Sequence, residues 1–470
     1  MTDLAGVKDK DLLQYTRAAI FKYGSYVNEQ RAIPDYRDGF KPVHRRTMWA
    51  MKHMPREATG IKTARVVGEI LGKYHPHGDM PVQGAITTLV HSPNSPLIGK
   101  GNWGTALDNA AAMRYTNVLL SNYGDTFLQA DYLAVSDFVP NYEDREVEPV
   151  ILPALLPNIL LNGTDGIAFG TVCHIPSYSL KSVLPLLIKR LKQKIPLELN
   201  DFLDLEFKFA FGGSFLDTKD NRKALKHFYK TGEGSVKFFS RLQISKDKKE
   251  ILFRDFPPDL GIDGSVRRIS ALPGVKRCVN TTDKKSASFT IQFGKVSEPE
   301  YEKLLLKIRA LTTSQKSFKV NLTERTKNEQ GVDVRQFSST VPDLFEMWLK
   351  WRLELEKKCL QYRITRQKKD IAYSNLLIQA IDNIEVVMRA LKEDDSEAYL
   401  VKHLKITHAQ ATTLMDLSLR QLKKLNKVKL TAKLTEEKEA LSRLSKWLEK
   451  PAQKVGHDFE RILTKIEEEK

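Results

Sequence analysis

The stretch Arg31–Met51, RAIPDYRDGFKPVHRRTMWAM, decides how the residues after it fold. Asp38-Gly39 is a turn signal, because glycine adopts backbone conformations that other residues avoid. Pro42 suits the first position of a helix, where its missing N–H is not needed. The stretch therefore predicts a turn followed by a helix from Pro42 to about His53.

Two more short helices are predicted after this one. Thr63 can cap a helix in TARVVGEILGKY, and Pro81 opens another in PVQGAITTLVH. A glycine-rich segment, IGKGNWGT, follows them and is predicted to be a loop or wing. Three short helices joined by tight turns and followed by a wing resemble the helix-turn-helix arrangement of DNA-binding domains.

The rest of the chain separates into differently patterned parts. Residues 1–30 read as one amphipathic helix, 180–325 mix helices and strands, and the chain from 340 is almost all helical. Trp348, Leu355 and Tyr362 are seven residues apart, which is the spacing of a coiled-coil seam. LTEEKEALSRLSKWLEK could run back beside this long helix, with KITHAQATTLMDLSLRQLKKL between them as a compact helical unit.

The charge balance favours a polyanionic partner, most simply nucleic acid. The net charge is +17, from 75 basic and 58 acidic side chains, although a basic surface without such a partner is the alternative. The three cysteines lack zinc or redox spacing and predict reduced, structural thiols. No apolar run reaches the roughly 18 residues of a membrane span, and the charged N-terminus does not resemble a signal peptide. A cytoplasmic protein that does not span the membrane is therefore expected.

Basic side chains are dense between 31 and 46, where they are Arg31, Arg37, Lys41, His44, Arg45 and Arg46. Lys41, His44 and Arg45 are three and four residues apart and share one helix face, which could follow phosphates or simply face solvent. His75 and His77 in HPHGD could begin a metal site. No further ligands follow in a recognisable pattern, so phosphate contact or hydrogen-bonded positioning is favoured for them.

Tyr115, in AAAMRYT, is either a core aromatic or a nucleophile. A phenol with a pKa of about 10 is about one part in a thousand ionised at pH 7, so attack on a phosphodiester needs a proton acceptor and charge stabilisation. Arg114 stays protonated and can stabilise phosphoryl charge, whereas His75 or His77 could orient or move a proton. The sequence has no P-loop and no D-x-D cluster after a strand, so any ATP or metal would come from another polypeptide.

Four blocks of the sequence resemble one known family. They are RAIPDYRDGFKPVHRR, ARVVGEILGKYHPHGD, AAAMRYT and NYEDREVEPVILPALLPNILLNGTDGIAFG. In this order they closely resemble the breakage–reunion subunit of type IIA DNA topoisomerases, that is, the A subunit of DNA gyrase and the C subunit of topoisomerase IV. The blocks cover about 25–180, and the helical C-terminal part matches more loosely.

The resemblance implies an α+β multidomain fold. Its parts would be an N-terminal partner-contact helix (1–24), a winged-helix (CAP-like) DNA-cleavage domain (25–149), an α/β tower domain (150–335), and a long antiparallel coiled coil with a helical dimerisation gate (336–470).

The resemblance also implies roles for individual residues. Tyr115 would attack DNA to form a 5′-phosphotyrosyl link, with Arg114 as its catalytic partner, and Ile167 would wedge between base pairs and bend the DNA. The catalytic set is then Tyr115, Arg114, Arg31 and His77, where His77 is only a candidate general base. The DNA-binding set implied by the resemblance is Lys41, His44, Arg45, His75 and Ile167. Lys100 is added to it as an expected phosphate contact, because it stands where the family commonly has glutamine. No metal ligand is expected in this chain.

The implied activity is a transient double-strand break followed by passage of a second duplex. The chain would act on double-stranded DNA as a homodimer, in an A2B2 assembly with a partner resembling the gyrase B or topoisomerase IV E subunit. That ATPase/TOPRIM partner is expected to bind both Mg²⁺ and ATP.

Two departures from the family shape these expectations. The sequence stops at Lys470, where family members usually continue into a DNA-wrapping domain, so relaxation or decatenation is expected rather than negative supercoiling, as in a separate bacteriophage-type subunit. Met80 and Gly84 stand where many bacterial members have the serine and acid that anchor quinolones, so weak quinolone sensitivity is expected. The alternatives are a non-cleaving DNA-binding structural protein of the same fold and, with less support, a tyrosine recombinase.

Overall fold

The computed structural model describes residues 12–193, 195–282, 287–329, 331–417 and 426–468. The chain divides into two compact units. The first is built from the residues up to Arg352 together with those from Asp458 on, and the second is Leu353–His457. The domain boundaries predicted near 24, 149 and 335 stay predictions.

Helices and strands are both abundant, as a mixed α/β fold requires. The described α-helices are α1 (Leu12–Val27), α2 (Pro42–His53), α3 (Thr63–Lys73), α4 (Asp79–His91), α5 (Asn122–Asp125), α6 (Ala130–Leu133), α7 (Asn158–Asn162), α8 (Leu180–Gln193), α9 (Lys219–Thr231), α10 (Ile262–Ser270), α11 (Glu298–Leu311), α12 (Val341–Asp382), α13 (Ile384–Ala390), α14 (Ser396–Leu404), α15 (His408–Met415), α16 (Lys427–Glu449) and α17 (Pro451–Glu468). None of these described helices is both long enough and apolar enough to cross a membrane.

The described strands are β1 (Ile61–Lys62), β2 (Leu97–Lys100), β3 (Asn117–Leu120), β4 (Phe138–Pro140), β5 (Val147–Pro149), β6 (Thr164–Ala168), β7 (Thr171–Ile175), β8 (Ser214–Phe215), β9 (Glu233–Phe239), β10 (Gln243–Ile244), β11 (Glu250–Phe253), β12 (Val275–Asn280), β13 (Phe289–Phe293), β14 (Thr313–Lys319), β15 (Asn321–Asn328) and β16 (Gly331–Ser338). They form a three-stranded sheet β1-β3-β2, a five-stranded sheet β6-β7-β14-β9-β8, a four-stranded sheet β10-β11-β13-β12, and the hairpins β4-β5 and β15-β16.

The three predicted short helices, α2, α3 and α4, share one apolar core with the β1-β3-β2 sheet. Helix α2 has the predicted bounds, whereas α4 begins at Asp79, two residues before Pro81. The predicted cap at Thr63 is wrong, because Lys62 holds the N-cap position and Thr63 is the first helical residue. The Thr63 hydroxyl is buried and accepts a hydrogen bond from Thr116 Oγ1 at 2.9 Å instead.

The part between about 180 and 325 contains both helices and strands, as its mixed sequence pattern predicts. Helix α11 spans Glu298–Leu311, the stretch EPEYEKLLLKIRAL, and Ser297 and Glu300 form a capping box at its start. Helix α8 runs through Pro185. The stretch SVKFFSRLQI, at 235–244, forms parts of two strands, β9 and β10, which lie in different sheets.

The long predicted helix is present as α12, which has 42 residues and is therefore about 63 Å long. Trp348 does not serve as a coiled-coil seam residue. It is fully buried in the first unit, where its indole N–H donates to the carbonyl of Arg37 at 3.1 Å. In the second unit, the end of α12 shares an apolar core with α13, α14 and α15. Residues 1–11 of the predicted N-terminal helix lie outside the described residues. So do residues 418–425, the end of the predicted compact unit KITHAQATTLMDLSLRQLKKL.

A turn stabilised by two buried carboxylates precedes α2. Gly39 has a φ of +68°, and an added Cβ would lie 2.6 Å from the backbone nitrogen of Ile159, so only glycine fits there. Asp38 accepts hydrogen bonds from Arg45 Nε at 2.6 Å and Arg45 Nη2 at 3.0 Å. The N–H of Leu152 donates to the same carboxylate at 2.9 Å. The predicted Asp38-Gly39 turn is thus confirmed and is tied to a distant segment.

Asp35 is the second buried carboxylate of this turn. Arg37 donates to it through Nε at 2.9 Å and Nη2 at 2.8 Å. The backbone N–H of Arg325, on β15, donates to the carboxylate as well, at 2.8 Å. Both carboxylates are fully buried, so each depends on these donors to offset the loss of water.

The ion pair between Asp35 and Arg37 should make the stability of the protein depend on pH in the acid range. Burial by itself would raise the pKa of Asp35, but hydrogen bonds and positive charge from Arg37 outweigh burial and lower it. A lowered folded-state pKa stabilises the fold above the unfolded-state value of about 3.9, and this contribution is lost as pH falls through the folded-state value. We expect the unfolding free energy, from urea denaturation, to fall as pH drops below about 4.

The variant Asp35→Asn should be destabilised by about 3 kcal/mol or more at pH 7, because it leaves Arg37 buried without its charge partner. It should also show a weaker acid dependence than the parent. Asp217→Asn removes the exposed pair with Arg222 and should leave stability at pH 7 almost unchanged. Equal acid dependence of the parent and Asp35→Asn would contradict the assignment.

Candidate functional site

The loop that carries Tyr115 is bound to the start of α3. The N–H groups of Thr63 and Ala64 donate to the carbonyls of Thr116 at 3.0 Å and Met113 at 3.2 Å. The first N–H groups of a helix have no partners within the helix, so the loop provides acceptors for them. As a result, the backbone on both sides of Tyr115 is held by a rigid element.

The side chain of Tyr115 is not a core aromatic. It is 66% exposed, and the guanidinium carbon of Arg114 lies 4.7 Å from the centre of its ring. Its hydroxyl has no hydrogen-bond partner within the part of the chain that the structure describes. From α4, Gln83 Nε2 donates to the carbonyl of Ala111 at 2.9 Å and secures the start of the loop. The arrangement is an accessible phenol beside a permanent cation.

His75 is a buried, neutral imidazole. Its Nδ1 lies 3.0 Å from Nη1 of Arg46, and because a guanidinium only donates, Nδ1 accepts and the ring proton is on Nε2. Arg46 is held in turn by Glu148, through Nε at 2.6 Å and Nη2 at 2.8 Å. Burial, and then the charge of Arg46, lowers the pKa of His75 to about 4.

His77 and Arg31 are the exposed members of the same group. The His77 ring centre is 4.5 Å from that of His75, and its backbone N–H donates to the His75 carbonyl at 2.8 Å. Arg31 lies on a π-helical turn, Asn28–Ala32, and its charge contributes to the lowered pKa values of both His75 and Lys41. The structure thus brings Arg31, His75 and His77 together. Among the described residues no hydrogen bond joins them to Tyr115.

The predicted basic face of Lys41, His44 and Arg45 is not one uniform surface. Lys41 Nζ donates to the carbonyl of Asp165 at 2.7 Å. His44 is half-buried, and burial lowers its pKa to about 3, so it is neutral at pH 7. Arg45 departs from the prediction of an exposed face, because it is buried in its ion pair with Asp38. A DNA phosphate could reach Arg45 only if that pair opened.

Ile167 lies near the tip of the β6–β7 hairpin, opposite Val172. Its side chain is 85% exposed, so it contributes almost nothing to the core of the first unit. The hairpin is stabilised nearer its base by Asp165, whose Oδ1 lies 2.7 Å from His174 Nδ1 and 2.9 Å from Lys316 Nζ. An exposed aliphatic side chain on a braced hairpin is suited to insertion between bases.

Lys100 lies on the strand next to the Tyr115 loop. It is directly opposite Asn117 at the end of β2, and its exposed side chain donates through Nζ to the carbonyl of Ala58 at 2.9 Å. Lys100 therefore shares a sheet with the backbone that leads away from Tyr115. Across the described ranges, no three His, Cys, Asp or Glu side chains are grouped as metal ligands.

The chain is similar to known proteins over most of its length. The family model for the A subunit of DNA gyrase/topoisomerase IV matches residues 31–458. The chain belongs to this DNA gyrase/topoisomerase IV A-subunit family. The resemblance seen in the four sequence blocks is thereby confirmed.

Several relatives in the A-subunit family are similar over most of the chain. The A subunits of DNA topoisomerase 4 from Salmonella typhimurium and from Escherichia coli are each 30% identical to it, with 98% of this chain and 64% of each relative covered. The A subunit of DNA gyrase from Metamycoplasma arthritidis is 28% identical, with 90% of this chain and 48% of the relative covered. The chain thus spans 64% of the length of the first two relatives.

Sequence reasoning missed the contacts that support these candidate site residues. Arg46 and Glu148 both occur in the family blocks, but their pairing spans 102 residues and has no local signal. The hydrogen bonds from Gln83 to the Tyr115 loop and from Lys41 to Asp165 are likewise contacts between distant segments.

The neutral state of His75 can be tested directly. The variant Arg46→Ala should raise the pKa of His75 from about 4 part of the way toward 6.5, because burial is the larger cause and remains. NMR of ring-labelled histidine across a pH series measures this, with His75→Gln to assign the signal. Arg56→Ala removes an exposed pair with Asp125 and should leave the His75 pKa in place. An unchanged His75 pKa in Arg46→Ala would contradict the contact.

Proposed function

We propose that this chain is the DNA-cleaving and rejoining subunit of a type II topoisomerase. The observation that carries the proposal is the exposed Tyr115 beside Arg114, on a backbone loop bound to α3, in a member of the A-subunit family. The curated relatives are named as subunits of DNA topoisomerase 4 and DNA gyrase, which supports the same interpretation.

The proposed reaction exchanges one phosphodiester for another. The phenolic oxygen of Tyr115 attacks a DNA phosphorus, the 3′ sugar oxygen leaves, and the strand keeps a 5′-phosphotyrosyl link. The phenolic proton passes to a base, for which the exposed His77 is the candidate, and the leaving oxygen takes up a proton. The fixed charge of Arg114 stabilises the phosphoryl oxygens as negative charge develops on them. Because bond types are conserved, the same steps in reverse rejoin the strand.

The remaining site residues are proposed to hold and bend the DNA. Arg31, Lys41 and Lys100 supply positive charge to phosphates, and the neutral His75 is suited to positioning through hydrogen bonds. Ile167 is proposed to insert between base pairs, where unstacking of one step bends the duplex. The sheet β1-β3-β2 with α2, α3 and α4 is proposed to be a winged-helix domain. The tower is proposed to be 150–335, and the coiled coil with the dimerisation gate is proposed to be 336–470.

The proposed assembly is a homodimer joined by an ATPase/TOPRIM partner. A two-fold arrangement of two chains would place their Tyr115 residues on opposite strands. Helix α1 is the proposed contact with the partner, since it exposes several large apolar side chains, among them Leu12, Ile20, Phe21 and Tyr23. Mg²⁺ and ATP are assigned to that partner, because these 470 residues contain neither a D-x-D cluster after a strand nor a P-loop. Relaxation or decatenation is the proposed outcome of strand passage.

The assignment of the nucleophile is tested by Tyr115→Phe. With the partner subunit, Mg²⁺ and supercoiled DNA, detergent trapping should give protein covalently attached to DNA 5′ ends. The adduct should be lost in Tyr115→Phe while DNA binding is retained, because only the hydroxyl is removed.

The matched control is Tyr142→Phe, which removes the hydroxyl of another exposed tyrosine and should leave the adduct intact. Adducts that persist in Tyr115→Phe would refute the nucleophile. A parent chain that binds DNA without forming any adduct would favour the non-cleaving structural protein.

Quinolone sensitivity should be low and should be restored by two substitutions on α4. Met80 is 68% exposed in the first turn of α4, and Gly84 follows one turn later. Neither side chain can hydrogen-bond to the waters of a metal-bridged drug. No neighbouring atom lies within 4 Å of a Cβ added at Gly84, so an acid fits there.

The double variant Met80→Ser with Gly84→Asp should therefore show drug-stimulated cleavage at a concentration about tenfold lower than the parent. Such a gain corresponds to about 1.4 kcal/mol of drug binding. Cleavage without drug should be unchanged, which serves as the control. Potent stimulation of the parent chain by a bridge-dependent quinolone would contradict the prediction.

A further inference from the structure

The turn of the β6–β7 hairpin is bound by one side chain from outside the hairpin. The buried side chain of Asn28 accepts a hydrogen bond from the N–H of Phe169 at 2.6 Å and donates to the Phe169 carbonyl at 3.2 Å. Both backbone polar groups of Phe169 are thus paired with a single amide. Phe169 is two residues after Ile167, at the point where the hairpin turns.

The geometry of this turn explains why outside support is needed. Phe169 and Gly170 form the two-residue connection between β6 and β7, and Gly170 has a φ of +73° whereas the φ of Phe169 is not positive. The two-residue turns that match the twist of a hairpin have a positive φ at their first residue. This turn does not belong to those types, so Asn28 supplies stabilisation that the turn lacks by itself.

The ring of Phe169 is also in contact with α1. A Cβ added at Gly24 would lie 2.4 Å from Phe169 Cδ1, so the ring packs directly on the α1 backbone at that glycine. The backbone of Asn28 is held by a π-type hydrogen bond, in which the N–H of Ile33 donates to the Asn28 carbonyl at 3.1 Å. Single π-helical turns of this kind are frequent at functional sites.

We propose that Asn28 is a positioning residue for Ile167, which fixes the hairpin turn and so sets the direction in which Ile167 enters DNA. The inference rests on the proposed function of Ile167 as the residue that bends DNA. Asn28 touches neither DNA nor a reacting atom in this role, and it acts only through the backbone of Phe169. It also makes the orientation of Ile167 depend on α1, because Asn28 begins the π-helical turn directly after that helix.

The test measures DNA bending separately from DNA binding. The probe is a short duplex with a donor and an acceptor fluorophore at its ends, mixed with the full chain and its TOPRIM-bearing partner. Asn28→Ala should lower the equilibrium constant for bending about tenfold. The slope of log affinity against log salt should not change, because no phosphate contact is lost. Asn28→Asp keeps the acceptor and loses the donor, so an intermediate loss is expected.

A double-mutant cycle distinguishes positioning from a general loss of stability. In the Ile167→Ala background, Asn28→Ala should have no further effect on bending, because the two residues act as one unit. The matched control is Gln336→Ala, since Gln336 accepts from the same Asn28 amide at 3.3 Å but is not part of the hairpin. It should bend DNA like the parent.

Three outcomes would overturn the inference. The first is normal DNA bending by Asn28→Ala. The second is that Asn28→Ala lowers bending equally in the parent and in the Ile167→Ala background. The third is normal bending by Ile167→Ala. That result would remove the proposed role of Ile167, and the positioning inference would fail with it. If Ile167→Ala loses bending while Asn28→Ala bends DNA like the parent, only the role of Asn28 is overturned.

Discussion

Two buried carboxylates, Asp35 and Asp38, are the interactions on which the first unit depends. Each lies in the turn before α2 and accepts hydrogen bonds from an arginine close in sequence and from a backbone N–H far along the chain. The same turn provides the carbonyl to which Trp348 of α12 donates. Breaking either ion pair would leave a charge buried without a partner, which is among the most costly changes a fold can undergo. One short stretch therefore joins α2, β15 and the start of α12.

The candidate site combines two kinds of support. Around Tyr115, the support is the start of α3, whose first N–H groups donate to loop carbonyls, so the backbone beside the exposed tyrosine is hydrogen-bonded to a helix. Around His75, the support is electrostatic, because burial and Arg46 together keep the ring neutral while exposed cations lie nearby. A neutral imidazole next to cations can donate a hydrogen bond to a phosphate without adding another charge.

Much of the fold could be predicted from local pattern. The bounds of α2 and α11 follow from Pro42 and from the Ser297–Glu300 capping box, which are signals that act within one turn of helix. The errors occur where a distant contact outweighs the local signal. Thr63 is a good N-cap by residue type, but its hydroxyl is used by Thr116 across the sheet edge. Trp348 fits a heptad, yet the carbonyl of Arg37 places it in the core of the first unit.

The sequence by itself determined the family, the short helices around the Arg31–Met51 stretch, and the candidate residues Tyr115, Arg114 and Ile167, since these are carried by residue type and local order. Only the tertiary structure decided how those residues are presented. It showed that Tyr115 is exposed, that Arg46 is held by Glu148, and that the turn beyond Ile167 is held by Asn28. The reason is physical. Burial, ion pairing and hydrogen bonding between segments more than 100 residues apart depend on the three-dimensional arrangement, and no local pattern encodes them.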